Sequence, residues 1–282
     1  MSGPDTLPAV GLVAGAGRLP LAAARALRQA GRPVVAVGFE GLTETALESA
    51  VDALCWLRLG QLESLAEAFR ERGVVRLLLA GKVPKSFLFD GGGLVEPDAE
   101  ALALIGGLRD RGDEALLRAL ADWLAARGFE LCPQDGVLRA LRMPSGLLTR
   151  SGPDARALED LALGWPVLRA LGRAGVGQCV VLKQGAVLAL EAIEGTDETI
   201  CRAGRLGGAG ATVIKAARPD QDRRFDLPVA GPETITALVE ARASALALEA
   251  GGVLLIEGEE MIAAADRAGI AIWGFTSEGD EA

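Results

Sequence analysis

Short apolar runs alternating with helix-like segments leave this chain few ways to fold. AVGLVAG (9–15) and PVVAVGF (33–39) are apolar runs too short to be helices, and between them LPLAAARALRQAG (19–31) has helical composition and a glycine stop. LESLAEAFRERG (62–73) then repeats the helical pattern, and VVRLLLAG (74–81) repeats the apolar one, ending in Gly81-Lys82. A continuous apolar run marks a strand buried on both faces, and such strands pair in parallel through helical crossovers. The expectation is an α/β fold opening with a Rossmann-like parallel sheet covered by helices. DEALLRALADWLAARG (113–128) supports it with an amphipathic helix whose Leu116, Leu120, Trp123 and Leu124 share a face.

The rhythm breaks at PQDGVLRALRMPSGLLTRSG (133–152), where Pro133, Gly136, Pro144, Gly146 and Gly152 crowd together. We expect two domains, 1–133 and 153–282, with a linker over 134–152 and a ligand cleft between them. A chain of 282 residues is long enough for both cores. The second domain reads as mixed α/β. It starts with a helix near 154–174 and continues with two strands over 179–195 joined at Gln184-Gly185 and a strand at 211–217. A helix at 232–252, a strand at 253–258, a helix at 259–269 and a last strand at 270–275 complete it.

Composition excludes several chemistries. The 282 residues contain no histidine, which removes the Ser-His-Asp triad, His-ligated zinc and any dimetal site of the His-and-Asp kind. Acid–base or metal chemistry is left to Asp, Glu, Lys, Cys and water, and oxygen donors suit magnesium, with manganese as the alternative. Cys55, Cys132, Cys179 and Cys201 stand too far apart for a zinc knuckle or a disulfide framework. A net charge of −9 argues against a nucleic-acid partner, because phosphate contacts need a basic surface. No apolar run reaches the roughly 18 residues that span a bilayer. The N-terminus lacks the basic and apolar regions of a signal peptide, so the expected compartment is the cytoplasm.

Four segments carry candidate chemistry. GLVAGAGRLP (11–20) is a strand-turn-helix in which Gly15 and Gly17 either let backbone approach a phosphate or form a tight turn; Pro20 replaces the third glycine of a dinucleotide fingerprint. AGKVPKSFLFDGGG (80–93) places Gly81, Lys82 and Lys85 after a strand, either facing a phosphate or simply solvated, with Phe87 and Phe89 nearby. LALEAIEGTDETICRAG (188–204) presents Glu191, Glu194 and Asp197 around Gly195, with Thr196 or Asp197 as a helix cap. KAARPDQDRRFDLPVAG (215–231) sets Lys215, Arg218, Arg223 and Arg224 against Asp220, Asp222 and Asp226, and Leu227-Pro228 returns the chain to restricted structure. Mixed charge usually means a solvated loop, yet basic groups beside carboxylates also suit phosphoryl transfer.

Taken together, GLVAGAGRLP, AGKV (80–83), RGDEALLRAL (111–120), VGQCVVL…GAVLALEAIEGTDETICR (176–202) and VIKAARPDQDRRFDLPVAG (213–231) resemble the LpxI family along nearly the whole chain. The resemblance implies a two-domain, Mg²⁺-dependent pyrophosphatase. Its substrate would be UDP-2,3-diacylglucosamine, cleaved to UMP and 2,3-diacylglucosamine 1-phosphate (lipid X) in lipid A biosynthesis, with attack at the sugar-side phosphorus. It assigns the essential aspartate to Asp226 and puts Glu194, Gly195, Thr196, Asp197, Gln221, Asp222 and Arg223 in the site neighbourhood; the roles we infer for them are catalysis for Asp226, Asp222 and Arg223, and metal binding for Asp226, Glu194 and Asp197. Substrate contacts fall on Gly15, Gly17, Gly81, Lys82, Gln178, Gly195, Thr196, Asp197, Lys215 and Gln221. A membrane-lipid substrate implies peripheral, transient contact with the cytoplasmic leaflet of the inner membrane, for which Phe87 and Phe89 are candidates. A homodimer is the commonest assembly for such an enzyme. Arg218-Pro219-Asp220 and Arg111 depart from the family pattern while keeping positive charge. Two other readings remain on sequence grounds: an NAD(P)-dependent oxidoreductase, weakened by Pro20, and a non-catalytic nucleotide- or lipid-binding protein indifferent to Mg²⁺.

Overall fold

The computed structural model describes residues 7–83, 95–108, 113–219, 221, 222, 224 and 227–276. It contains two compact units, the first ending at Arg139 and the second beginning at Ala140.

The first unit runs β1 (Val10–Ala14), α1 (Leu19–Gln29), β2 (Val34–Phe39), β3 (Ala53–Leu57), α2 (Leu62–Arg70), β4 (Arg76–Ala80), α3 (Ala99–Gly106), α4 (Asp113–Ala126), β5 (Glu130–Leu131) and a short α5 (Gln134–Val137). Its strands form one parallel sheet in the order β3-β2-β1-β4-β5. All five residues of β1 are buried because helices cover both faces, which is why the sequence shows an apolar run there and not an alternation. Phe69 of α2, Leu77 of β4 and Leu124 of α4 meet in the core, each fully buried and each stabilising by about 2–3 kcal/mol. The order places a topological switch point between β1 and β4, where doubly wound sheets collect ligands.

A cluster outside the sheet joins α3 to α4. Asp98 caps α3 by accepting from the Ala101 N–H at 2.8 Å, and its other oxygen accepts from the Glu63 N–H at 2.7 Å. The Glu100 carboxylate accepts from Trp123 Nε1 at 2.8 Å and from the Arg127 guanidinium, which lies 3.9 Å above the Trp123 ring.

The second unit runs β6 (Gly146–Leu147), α6 (Ala155–Arg173), β7 (Cys179–Lys183), β8 (Ala186–Leu190), α7 (Thr196–Gly207), β9 (Thr212–Lys215), β10 (Val229–Ala230), α8 (Pro232–Glu240), β11 (Ala245–Glu249), β12 (Leu254–Leu255), α9 (Gly258–Ala268) and β13 (Ala271–Phe275). Its main sheet is mixed, in the order β6-β13-β11-β9-β7-β8. The strands β9, β11 and β13 are parallel, and β6, β7 and β8 add antiparallel pairs at the two edges. Gln184 and Gly185 both take positive φ, 52° and 78°, as a two-residue hairpin turn requires, and Asp160 accepts from the Gly185 N–H at 2.7 Å. Gly164 lets α6 lie close on the sheet: a Cβ there would stand 2.4 Å from Ile214 Cδ1 and 2.5 Å from Leu182 Cδ1.

Three expectations need correction. Residues 134–152 are not a bare linker. Buried Gln134 donates from Nε2 to the Leu79 carbonyl at 2.7 Å, and Gly146-Leu147 pairs antiparallel with β13. The glycines and prolines shape turns whose polar groups are tied to neighbouring structure. The helix expected over 232–252 stops at Glu240, Arg242 turns the chain with φ 53°, and residues 245–249 form β11 in the middle of the sheet. The strand expected at 253–258 is only the two-residue β12, paired with β10. No helix among the described residues is long and apolar enough to cross a membrane.

Candidate functional site

At the switch point of the first unit, the two glycine loops hold each other. The Gly15 N–H donates to the Ala80 carbonyl at 2.8 Å, and Ala16 and Lys82 exchange backbone bonds of 2.8 and 3.0 Å. A Cβ on Gly15 would stand 2.7 Å from the Lys82 carbonyl oxygen, and one on Gly81 would stand 2.8 Å from that of Ala16. The missing side chains thus answer a backbone crossing, and the Gly15 and Ala16 N–H groups are directed at carbonyls. Gly17, at φ 84°, completes the turn into α1. Lys82 is exposed beyond it, while Lys85, Phe87 and Phe89 lie outside the described residues.

The second unit gathers its candidates at one edge of the sheet. Register places Cys179 of β7 opposite Lys215, the last residue of β9, and Lys215 opposite Leu248 of β11. Gln178 immediately precedes β7, Glu191 immediately follows β8, and Glu249 ends β11. All of them therefore sit at the carboxyl edge of the parallel strands, together with the N-terminus of α7.

Lys215 is 4% exposed and Glu191 is 6% exposed, which two charged side chains tolerate only with partners. Lys215 Nζ donates to Thr196 Oγ1 at 2.9 Å and to the Val229 carbonyl at 2.7 Å. Thr196 Oγ1 in turn donates to Glu191 Oε1 at 3.0 Å, and Glu191 Oε2 accepts from the Gln178 N–H at 3.1 Å. The Gln178 side-chain carbonyl accepts from Gln221 Nε2 at 3.4 Å, and Gln221 Oε1 accepts from the Arg218 N–H at 2.9 Å. Glu249 Oε2 fixes the preceding residue by accepting from the Ala217 N–H at 2.9 Å. Burial pushes the Cys179 thiol far above its ordinary range, and the Glu191 charge adds to the effect while Lys215 opposes it.

The network unites Gln178, Thr196, Lys215 and Gln221, all expected in the site. Two expected roles change. Neither Thr196 nor Asp197 caps α7; the N-cap is Gly195 at φ 82°, and Asp197 sits in the first turn, where its charge complements the helix dipole. The Thr196 hydroxyl is instead engaged by Lys215 and Glu191. Glu194, expected at the metal, accepts from Arg202 Nη2 at 2.6 Å and from Thr199 Oγ1 at 3.2 Å. Its own backbone N–H, then Arg202, hold its carboxyl below the usual carboxylate range. Among the described residues no three Asp, Glu or Cys side chains converge as a metal cluster. Asp222 and Arg224 belong to the described part of the charged loop, whereas Asp226, Arg223 and Asp220 lie outside it.

Sequence reasoning left Glu249 out, because the segment carrying it reads as helix. Glu191 stood among the candidate carboxylates of the 188–204 segment but received no role, although its phase was a signal: it shares the inward face of β8 with buried Ala189.

Two α/β units, the second with a carboxylate–ammonium–amide network at one edge of its sheet, make up a chain without imidazole. The chain belongs to the LpxI family: the LpxI N-terminal domain matches residues 9–141 and the LpxI C-terminal domain residues 144–273. It is 32% identical over 276 residues, covering 94% of this chain and 96% of the relative, to the UDP-2,3-diacylglucosamine pyrophosphatase LpxI of Caulobacter vibrioides. Solved structures match loosely. A biotin carboxylase domain of a thermophilic 2-oxoglutarate carboxylase aligns with TM-score 0.26 and 15% identity over 70% of this chain, which spans 32% of that chain. A leucoanthocyanidin reductase of Vitis vinifera aligns with TM-score 0.24 and 16% identity over 59% of this chain and 46% of its own.

Proposed function

We propose that this chain hydrolyses the pyrophosphate bond of UDP-2,3-diacylglucosamine with Mg²⁺, releasing UMP and 2,3-diacylglucosamine 1-phosphate, a step of lipid A biosynthesis. The observation that carries the reading is the 32% identity to a pyrophosphatase of that name across 94% of the chain. The polar network supports it by holding Lys215 and Gln221 at the root of the charged loop.

The donors fit the ion. With no histidine in the chain, Asp197, Asp222 and Asp226 offer only oxygen, and Mg²⁺ takes one or two carboxylates along with water and substrate phosphates. Glu194 is the weakest of the expected ligands, since Arg202 and Thr199 already engage it. When bound, Mg²⁺ would draw charge from the diphosphate oxygens.

The protein's own groups supply the rest. Asp226 serves as metal ligand or as the base that takes a proton from the attacking water. Arg223 offsets the charge that develops on the phosphate oxygens. Gly15 and Gly81 act by letting the two loops of the first unit cross, which sets where Lys82 leaves the sheet. Transient contact with the cytoplasmic leaflet belongs to the same proposal, because the substrate is a membrane lipid. The oxidoreductase reading is weaker, since the N–H groups of Gly15 and Ala16 already meet carbonyls.

The test is UMP release from UDP-2,3-diacylglucosamine by the wild type and Asp226→Ala, with Mg²⁺ and with EDTA. The expected result is turnover only with metal, and a loss of about 10²–10⁴-fold in the variant. A wild type that turns over equally in EDTA, or an unimpaired Asp226→Ala, would overturn the mechanism.

A further inference from the structure

We infer that Glu249 is a positioning residue for the charged loop: its carboxylate takes the place of a main-chain acceptor where β9 ends, and so sets the direction in which Arg218, Gln221 and Asp222 leave the sheet. The kinetic consequence rests on the proposed reaction, the structural one does not.

The pairing of β9 with β11 runs in register as far as Lys215 opposite Leu248. Beyond it the Ala216 N–H turns toward β7 and donates to the Gln178 carbonyl at 3.2 Å, so the Ala217 N–H faces the β11 side. The Glu249 carbonyl, next along β11, receives the Gly252 and Val253 N–H groups at 3.2 and 3.3 Å, because the chain folds into a turn there. The Glu249 side chain supplies the acceptor instead, and Oε2 receives the Ala217 N–H at 2.9 Å. Ala217 is half-buried, and an N–H left there without an acceptor is costly, so this bond is what lets the chain leave the sheet at that residue.

The same contact explains a glycine. Gly252 has no positive φ, so its backbone does not demand the residue. A Cβ on it would stand 2.1 Å from Glu249 Oε2 and 2.7 Å from Glu249 Cδ, and its absence leaves the space that the carboxylate fills. The turn that carries both residues is tied down, with the Ala250 N–H donating to the Phe275 carbonyl and the Gly251 N–H to the Met143 carbonyl, each at 2.8 Å. On the other side, a Cβ on Gly172 of α6 would stand 3.0 Å from Pro219 Cδ and 3.4 Å from Arg218 Cα, so the first loop residues lie against that helix. Arg218 and Gln221 are bonded to each other twice: the Gln221 N–H donates to the Arg218 carbonyl at 3.2 Å, and the Arg218 N–H to Gln221 Oε1 at 2.9 Å. This closed turn takes its orientation from Ala217.

The test separates an acceptor from a charge. Hydrogen exchange of the Ala217 amide is followed by NMR, and kcat and KM for UDP-2,3-diacylglucosamine are measured with Mg²⁺, for wild type, Glu249→Ala, Glu249→Gln, Gly252→Ala and the Gly252→Ala/Glu249→Ala double variant, each shown to be folded by circular dichroism. Glu249→Ala should speed Ala217 exchange about tenfold or more and lower kcat about tenfold, with KM within about twofold. Glu249→Gln keeps an acceptor oxygen and should recover part of both losses. Gly252→Ala pushes the carboxylate off Ala217 and should reproduce Glu249→Ala, while the double variant should be no worse than Glu249→Ala alone, because the added methyl then has no carboxylate to displace.

Wild-type Ala217 exchange in Glu249→Ala overturns the inference. So does a Glu249→Gln no better than Glu249→Ala, which would make the charge itself the working group. A raised KM with unchanged kcat would put Glu249 in substrate binding, and stability lost with kcat and KM both unchanged would make the contact purely structural; either result overturns the positioning role. If Glu249→Ala fails to fold, Gly252→Ala carries both arms, and wild-type exchange with wild-type kcat in that variant overturns it. A wild type inert toward the substrate defeats the proposed reaction and the kinetic role with it, while the Ala217 amide still decides whether the carboxylate holds the loop.

Discussion

Replacing Gly81 by alanine separates two explanations of the glycine loops. In the structure Gly81 has φ 94°, and an added Cβ would stand 2.8 Å from the Ala16 carbonyl oxygen, 2.8 Å from Gly15 C and 2.9 Å from Pro20 Cγ. The left-handed conformation costs an alanine about 1–2 kcal/mol, and forcing a methyl against backbone costs about 1–3 kcal/mol more. The backbone bonds that clamp the crossing, Gly15 to Ala80 and Ala16 with Lys82, leave the chain little room to relax. We therefore expect Gly81→Ala to destabilise the first unit by about 2–5 kcal/mol. Urea unfolding would measure it, followed by the fluorescence of Trp56 and Trp123 in a background where Trp165 and Trp273 are phenylalanine. If the variant unfolds within about 0.5 kcal/mol of the parent and only substrate KM rises, the glycine serves a ligand and the crossing argument is wrong.

Two further outcomes follow from side-chain contacts in the two units. Glu100→Ala removes the acceptor of both Trp123 Nε1 and the Arg127 guanidinium, and should cost about 1–3 kcal/mol of first-unit stability with a shift in Trp123 emission, measured by the same unfolding experiment. The Glu194 carboxyl is held low, so its contacts stabilise the fold above the ordinary carboxylate pKa of about 4.3 and are lost as pH falls through the lower folded value. Arg202→Gln should raise the Glu194 midpoint in an NMR titration, and its stability deficit should vanish at the acid end of that window; a deficit independent of pH would contradict the assignment.

Where local pattern and tertiary environment agree, the sequence was enough. The runs at 10–14, 34–39 and 77–80 are apolar throughout because both sheet faces are covered, and their glycine stops mark the turns. The ALALE run of β11 shows the opposite case. Alanine, leucine and glutamate are the strongest helix formers, yet burial between β9 and β13 makes the segment a strand. That misreading also hid Glu249, whose carboxylate holds the chain just beyond Lys215. β3 was passed over for a related reason, because ALCWL is short and only half-buried at the sheet edge. Motif resemblance brought forward Gln178, Thr196, Lys215 and Gln221, but the bonds among them depend on the register of β7 against β9, and no spacing along the chain encodes that.

The pairing of β6 with β13 also constrains the order in which the protein is made. The Leu148 N–H donates to the Ile272 carbonyl, Met143 to Val253, and the Arg150 N–H to Asp266, so the opening residues of the second unit are secured by its closing ones. During synthesis the first unit can complete its sheet once Leu131 has emerged, whereas the second must wait for β13 with β6 unpaired. In that interval the nascent chain exposes Val180, Val181 and Ile214, residues fully covered in the finished fold, and it is then at its most prone to aggregate.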